Sequence, residues 1–220
     1  APPVPSMLMS FRSDFLELAL RLNVLRFGEF KLKSGRLSPY FFNAGLINTG
    51  AALATLGDAY ADTLVESGLA FDMLYGPAYK GIALASASAI ALARKHGRDL
   101  PFAFNRKEAK DHGEGGVLIG APLKGRVVIV DDVISAGTSV RESVALIRAH
   151  GAEPAAVLIA IDRQERGLGA LSAADEVRAE FDIPVLAIAN LTELLSFAAT
   201  RPELAEVLPR LQAYRGEYGA

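Results

Sequence analysis

Apolar residues recur at helical spacing from Phe11 to Leu25 (Phe11, Phe15, Leu18, Leu22, Leu25), which predicts an opening amphipathic helix. The period then changes to two. Phe27 to Asn43 alternates apolar and polar residues around Ser34-Gly35, the pattern of a β-hairpin. Thr49 to Gly68 reads as a second helix, begun by a capping residue type and ended by glycine. Short apolar runs then predict five strands, at Phe71–Tyr75, Pro101–Phe104, Val127–Val130, Ala155–Ile161 and Pro184–Ile188. An alanine-rich helix fits Ile82 to His96, stopped by Gly97. Another fits Val140 to His150, with Val140, Val144 and Ile147 on one face and Gly151 as its stop. From Leu191 onward the pattern predicts two helices, with Pro202 at the start of the second. Strands alternating with helices imply an α/β fold, a five-stranded, mainly parallel sheet covered on both faces. Ligands of such sheets sit outside the carboxyl ends of the strands.

Composition narrows the classes without choosing among them. A length of 220 residues suits one domain with a substantial core. A net charge of −2 offers no global attraction to nucleic acid or to an anionic membrane. No cysteine occurs, which excludes disulfides, thiolate metal sites and cysteine nucleophiles. Apolar runs are broken by charge well short of the ~18–20 residues that a membrane span needs. The first residues lack a basic region leading into an apolar core. The expectation is a soluble, cytoplasmic protein. Ala1 to Ser6, rich in proline, is set aside as a flexible start.

The most telling chemistry lies in Val127-Val-Ile-Val-Asp131-Asp132-Val133-Ile134-Ser135-Ala136-Gly137-Thr138-Ser139. A strand buried on both faces ends in two carboxylates, followed by a small, hydroxyl-bearing turn that opens a helix. Such a turn aims backbone N–H groups at one point and is a natural seat for a phosphate monoester. The acidic pair could hold sugar hydroxyls, Mg²⁺, or both. Together they describe a site for a phosphorylated sugar. An Asp pair at a strand end also serves receiver domains and nucleotide hydrolases, but the lysine-bearing G-x-x-x-x-G-K-[ST] loop is absent here.

Three further stretches gain meaning beside it. Gly76-Pro-Ala-Tyr79-Lys80-Gly81 follows a strand and opens a helix; alone it is an ordinary tight turn, but next to Asp131-Asp132 it fits a diphosphate. Arg106, Lys107, Lys110 and His112 place four potentially cationic groups within seven positions, with Gly113, Gly115 and Gly116 close behind. A solvated loop would look similar, yet cations beside hinge glycines suit a lid over pyrophosphate. Asp162-Arg163-Gln164-Glu165-Arg166-Gly167 ends a strand with a burst of charge, either a salt-bridged loop or an arginine aimed at an anionic or O/N ligand edge. The hairpin mixes bases with aromatics, which suits a cover for a flat heterocycle better than a nucleic-acid surface.

The acidic segment resembles the phosphoribosyl-pyrophosphate (PRPP) signature of type I phosphoribosyltransferases. From about Phe11 to Tyr214 the chain is similar to the orotate phosphoribosyltransferases of bacteria and fungi. The resemblance is carried by Lys33-Ser-Gly-Arg36, Ser38-Pro-Tyr-Phe-Phe-Asn-Ala-Gly45, Gly76 to Gly81, Phe104 to Gly116, Val130 to Thr138 and Asp162 to Gly167. It implies that fold, with a helix and hairpin hood (about 7–48) over the base site, a PRPP-binding core (about 69–190) and C-terminal helices (about 191–216). It places orotate near Lys33, Phe41, Phe42, Ser135 and Arg163. It places PRPP on Tyr79, Lys80, Lys107 and the span Asp131 to Ser139. It implies a homodimer in which Arg106, Lys110 and His112 reach into the partner's site, and Mg²⁺ carried by PRPP near Asp131 and Asp132 rather than held mainly by side chains. Lys80, Arg106, Lys110, His112, Asp131 and Asp132 are the residues expected nearest the chemistry. Two rivals remain at this level, a phosphoribosyltransferase for another base and a PRPP-sensing regulator.

Overall fold

The structure, a computed structural model, describes residues 10–109 and 116–220. Ala1 to Ser6 lie outside the described residues, as do Lys110 and His112 of the cationic stretch. The opening helix α1 (Ser10–Arg21) is shorter than its periodicity predicts. Asn23 takes a left-handed conformation, φ 58°, which asparagine tolerates, and the chain turns there. Leu25 therefore opens strand β1 (Leu25–Lys31), paired with Phe42 of β2 (Leu37–Phe42) in an antiparallel hairpin. Helix α2 (Gly50–Ser67) starts where Thr49 accepts a hydrogen bond from Ala52 N and stops at a left-handed Gly68.

The main sheet contains β3 (Met73–Gly76), β4 (Phe102–Asn105), β5 (Leu118–Gly120), β6 (Arg126–Val130), β7 (Glu153–Asp162) and β8 (Val185–Asn190). Their order is β5-β4-β3-β6-β7-β8. Five strands are parallel, and β5 runs antiparallel to β4 at one edge. The sheet thus has six strands, not the five that periodicity predicts. Three half-exposed residues are too few to show an alternation, so β5 left no trace in the pattern. The remaining helices are α3 (Lys80–His96), α4 (Thr138–Ala149), α5 (Ala173–Phe181), α6 (Leu191–Ala199) and α7 (Val207–Tyr218). Pro202 does not start the last helix. It opens a 3₁₀ turn, Pro202–Leu204, and α7 begins at Val207.

Alternate residues of the central strands face two separate cores. Val128 and Val130 of β6 join Leu158 and Ala160 of β7 in a cluster completed by α1, α2, α3, α6, α7 and the hairpin. Val127, Ile129, Val157 and Ile159 pack the other way, under α4 and α5. Full burial of such side chains contributes about 1.5–3 kcal/mol each, so the central strands are the firmest part of the molecule. The chain leaves β3 toward β4 in one direction and leaves β6 toward β7 in the other. A crevice therefore opens at the carboxyl ends of β3 and β6, the place where such sheets bind ligands. Among the described residues no helix is long and apolar enough to cross a membrane.

Candidate active site

Two loops meet at this crevice. The first, Gly76 to Gly81, is folded tightly because its glycines lack side chains. A Cβ on Gly76 would stand 2.0 Å from Gly81 O, and one on Gly81 would stand 2.6 Å from Pro77 Cδ and 2.9 Å from Val130 O. Only glycine lets the loop lie against the end of β6. The Ala78–Tyr79 peptide bond is cis. Asn105 Oδ1 accepts a hydrogen bond from Ala78 N at 2.7 Å, tying the end of β4 to the same loop.

The second loop carries the acidic pair. Asp131 Oδ1 accepts from Asp132 N at 2.9 Å, and its Oδ2 accepts from Ser139 Oγ at 3.3 Å. Asp132 Oδ1 accepts from Val133 N at 2.8 Å, and its Oδ2 accepts from Lys80 Nζ at 3.1 Å. Lys80 thus joins the two loops. Burial pushes the Asp131 carboxyl up to about 6; the N–H bond from Asp132 works against that rise, and the Asp132 charge adds to it. Beneath the pair, Tyr60 Oη donates to Asp131 O at 2.8 Å. Burial, helped by the charges of Asp132 and Asp131, holds that phenol well above its usual pKa, so it remains a donor.

Helix termini separate the crevice from the rest of the molecule. Of the four helices that follow parallel strands, α5 and α6 are capped by the side chains of Ser172 and Asn190. The other two, α3 and α4, have no side-chain cap; their N-cap residues are Tyr79 and a left-handed Gly137, φ 78°. In α3 the N–H groups of Gly81 and Ile82 are already taken by Pro77 O and Tyr79 O, at 3.0 and 3.2 Å; the first N–H groups of α4 are left to meet an anion. The turn from Ser135 through Ala136 and Gly137 to Thr138 and Ser139 thus presents backbone donors beside the acidic pair.

Beyond this turn a cavity of about 320 Å³ lies between the hairpin and the ends of β6 and β7. Lys33, Phe41, Phe42, Ser135 and Arg163, assigned to one base by resemblance, all line it, together with Val133 and Ile134. Phe41 is braced by Phe30, ring centroids 5.6 Å apart. Arg163 donates through Nε to Glu165 Oε2 at 3.1 Å and through Nη2 to Ser38 Oγ at 2.9 Å. Burial works against its charge, but Tyr40 and Glu165 more than offset this and raise the guanidinium above its ordinary pKa.

A second cavity of about 490 Å³ adjoins the first turn of α4 and is lined by Pro77, Ala78, Arg106, Lys107 and Ser139. Tyr79, 67% exposed, lies under Lys107 Nζ, 5.2 Å from the ring centroid. Arg106 and Lys107 thus line the cavity beside α4, and the Lys80–Asp132 pair links the two loops of the crevice. Asn105, Ser38, Tyr40 and Glu165 had no role assigned from sequence. The partners of Asn105, Ser38 and Tyr40 lie far along the chain, as with the 125 positions between Ser38 and Arg163; Glu165 sits inside the charged stretch after β7, but its second partner, Arg36, is 129 positions away.

A profile described as phosphoribosyl transferase domain matches residues 45–180. The chain is 66% identical over 209 residues to the orotate phosphoribosyltransferase of Laribacter hongkongensis, covering 95% of this chain and 98% of that protein. It is 63% identical over 210 residues to that of Thioalkalivibrio sulfidiphilus, covering 96% and 99%. The crystal structure of orotate phosphoribosyltransferase from Francisella tularensis matches with a TM-score of 0.86 at 44% identity, over 94% of this chain and 100% of that one. Sequence, fold and crevice agree, and the chain belongs to the orotate phosphoribosyltransferases of the type I phosphoribosyltransferase family.

Proposed function

We propose that this chain transfers ribose 5-phosphate from PRPP to N1 of orotate, giving orotidine 5′-phosphate and pyrophosphate in pyrimidine biosynthesis in the cytoplasm. One observation carries the reading. Ile134 and Ser135 wall a cavity that holds two phenylalanines and an arginine, and the same segment runs straight into the uncapped N-terminus of α4. A flat anionic base and a phosphate monoester, the two ends of one nucleotide, find seats a few residues apart.

Breaking the bond between C1 and pyrophosphate places positive charge on the sugar and negative charge on the leaving oxygens. Lys80, Arg106, Lys107 and Lys110 answer the negative charge where it grows. His112 donates a hydrogen bond or a proton to the same group. Asp131 and Asp132 orient the ribose hydroxyls and face the developing cation. The stretch from Arg106 to Gly116 closes as a lid and excludes water, which would otherwise hydrolyse the activated sugar. On the resemblance, Arg106, Lys110 and His112 act in the partner subunit's site, so a homodimer shares its two sites.

The donor set also bears on Mg²⁺. Among the described residues no group of three or more acidic or histidine ligands assembles, and Asp132 is already paired with Lys80. Two carboxylates suit a Mg²⁺ that brings most of its oxygen ligands with the diphosphate, not a protein cage. When bound there, Mg²⁺ supplies positive charge against the leaving group.

The test is turnover with PRPP and Mg²⁺, offering orotate, uracil or adenine as the base. Orotate alone should give nucleotide and an equal amount of pyrophosphate, and chelating the metal should stop it. Comparable use of adenine or uracil would overturn the assignment.

A further inference from the structure

The donors of Arg163 are unequally used. Its Nε and Nη2, which form one edge of the guanidinium, donate to Glu165 Oε2 and Ser38 Oγ. That edge is the one able to grip a carboxylate side-on, and the protein already fills it. Ser38 is fixed as an acceptor, because its own hydroxyl donates to Tyr40 O at 2.7 Å. The guanidinium carbon stands 4.1 Å from the centroid of the Tyr40 ring. The outer edge, Nη1 with the second hydrogen of Nη2, makes no hydrogen bond among the described residues; the buried Tyr214 hydroxyl, itself without a partner, lies beside both Arg163 and Glu165.

Glu165 is held just as firmly. Oε1 accepts from Arg36 Nη1 at 3.2 Å while Oε2 serves Arg163, so each oxygen belongs to a different arginine. Its side chain is only 10% exposed. Arg36 also donates to the carbonyl oxygens of Arg166 and Gly167, so the trio fastens the hairpin to the loop after β7. Glu165 itself lines the base cavity. A lone carboxylate there would repel an anionic base. Between two arginines it leaves the trio with a surplus of one positive charge, directed outward by Arg163.

We propose that Glu165 is a positioning residue of the base site. By filling the inner edge of Arg163 and binding Arg36, it leaves one guanidinium edge facing the cavity and so selects a base that presents a planar anionic or O/N edge end-on. The inference rests on the base-site reading above.

Steady-state kinetics of the full-length Mg²⁺-dependent enzyme test it with Glu165→Ala, Glu165→Gln, Arg163→Leu and the double variant Arg163→Leu/Glu165→Ala. Glu165→Gln keeps the shape but turns one oxygen into a donor, so it can serve only one arginine. It stands in if the alanine variant fails to fold. Either Glu165 variant should raise the orotate KM about tenfold, leaving the PRPP KM and kcat within about twofold. In the Arg163→Leu background, removing Glu165 should add less than about twofold to the orotate KM, because its effect passes through that arginine. Independent, multiplying effects, or equal rises in both KM values with a lowered Tm, would show a mere latch and overturn the proposal alone. An unchanged orotate KM in Arg163→Leu would overturn the base-site reading and this proposal with it.

Discussion

The carboxyl group of Asp131 titrates at about 6 instead of 3.8, raised chiefly by burial. Between those values the folded chain holds a proton that the unfolded chain has released. Stability therefore falls as pH rises from about 4 to about 6, and the loss is complete above that. Asp131→Asn has no such titration, and its amide oxygen can still accept from Asp132 N. We expect this variant to exceed the parent in stability by on the order of 1–3 kcal/mol at pH 8, with a smaller gap at pH 5. Urea unfolding at the two pH values measures the gap; a pH-independent gap would mean that the carboxyl is not desolvated. The benefit should come with a loss of use. Replacing both Asp131 and Asp132 by Asn should lower turnover by on the order of a hundredfold or more while the chain stays folded, since nothing then orients the ribose. Near-normal rates in that double variant would remove the acidic pair from the ribose site.

The elements that hold these residues differ in how openly the sequence shows them. The β6–α4 unit is legible because four apolar residues, two carboxylates and a small-residue turn are all local, and each has a chemical reason to follow the last. Capped helices such as α2 are legible for the same reason, with Thr49 and Gly68 at its two ends. A helical period continues through Leu25, and only the left-handed Asn23 ends the helix before it. The three-residue edge strand β5 is too short to show a period, and α5 buries only Ala174 and Val177, too faint an apolar face beside the Leu191, Leu194 and Phe197 of the equally long α6. Contacts such as Arg36 with Glu165, 129 positions apart, exist only once the hairpin folds over β7. The glycine loop after β3 makes a prediction at this scale. Gly81→Ala drives a Cβ to 2.6 Å from Pro77 Cδ and 2.9 Å from Val130 O, whereas Gly50→Ala meets nothing within 4 Å. Gly81→Ala should cost about 1–3 kcal/mol or more and raise the PRPP KM; Gly50→Ala should be neutral or slightly stabilising. Thermal melts and PRPP kinetics on the pair decide it, and an undisturbed Gly81→Ala would mean that the loop has room to spare.

The whole molecule gathers its site at one crevice. The sheet's change of direction brings the loops after β3 and β6 together, and the hairpin, fastened through Arg36, Glu165 and Arg163, closes the side over β7. On the proposed reading, a second subunit completes that site. Lys80→Ala and Lys110→Ala should each lower kcat, but a heterodimer of the two would carry both lesions in one site and neither in the other. Heterodimers isolated with two different affinity tags should recover about half of the parent activity per dimer if the sites act independently. No recovery, with subunit exchange confirmed by mass, would mean that the lid closes over its own subunit. The central claim, that one nucleotide spans from the Arg163 cavity to the N-terminus of α4, is tested most directly by a crystal structure with orotidine 5′-phosphate bound. The base should lie between Phe41, Phe42 and Ile134 with its carboxylate or carbonyl edge on the outer side of Arg163, and the phosphate should accept hydrogen bonds from the backbone of residues 136–139. A phosphate seated instead on the Gly76–Gly81 loop, or a base outside the Arg163 cavity, would contradict the account.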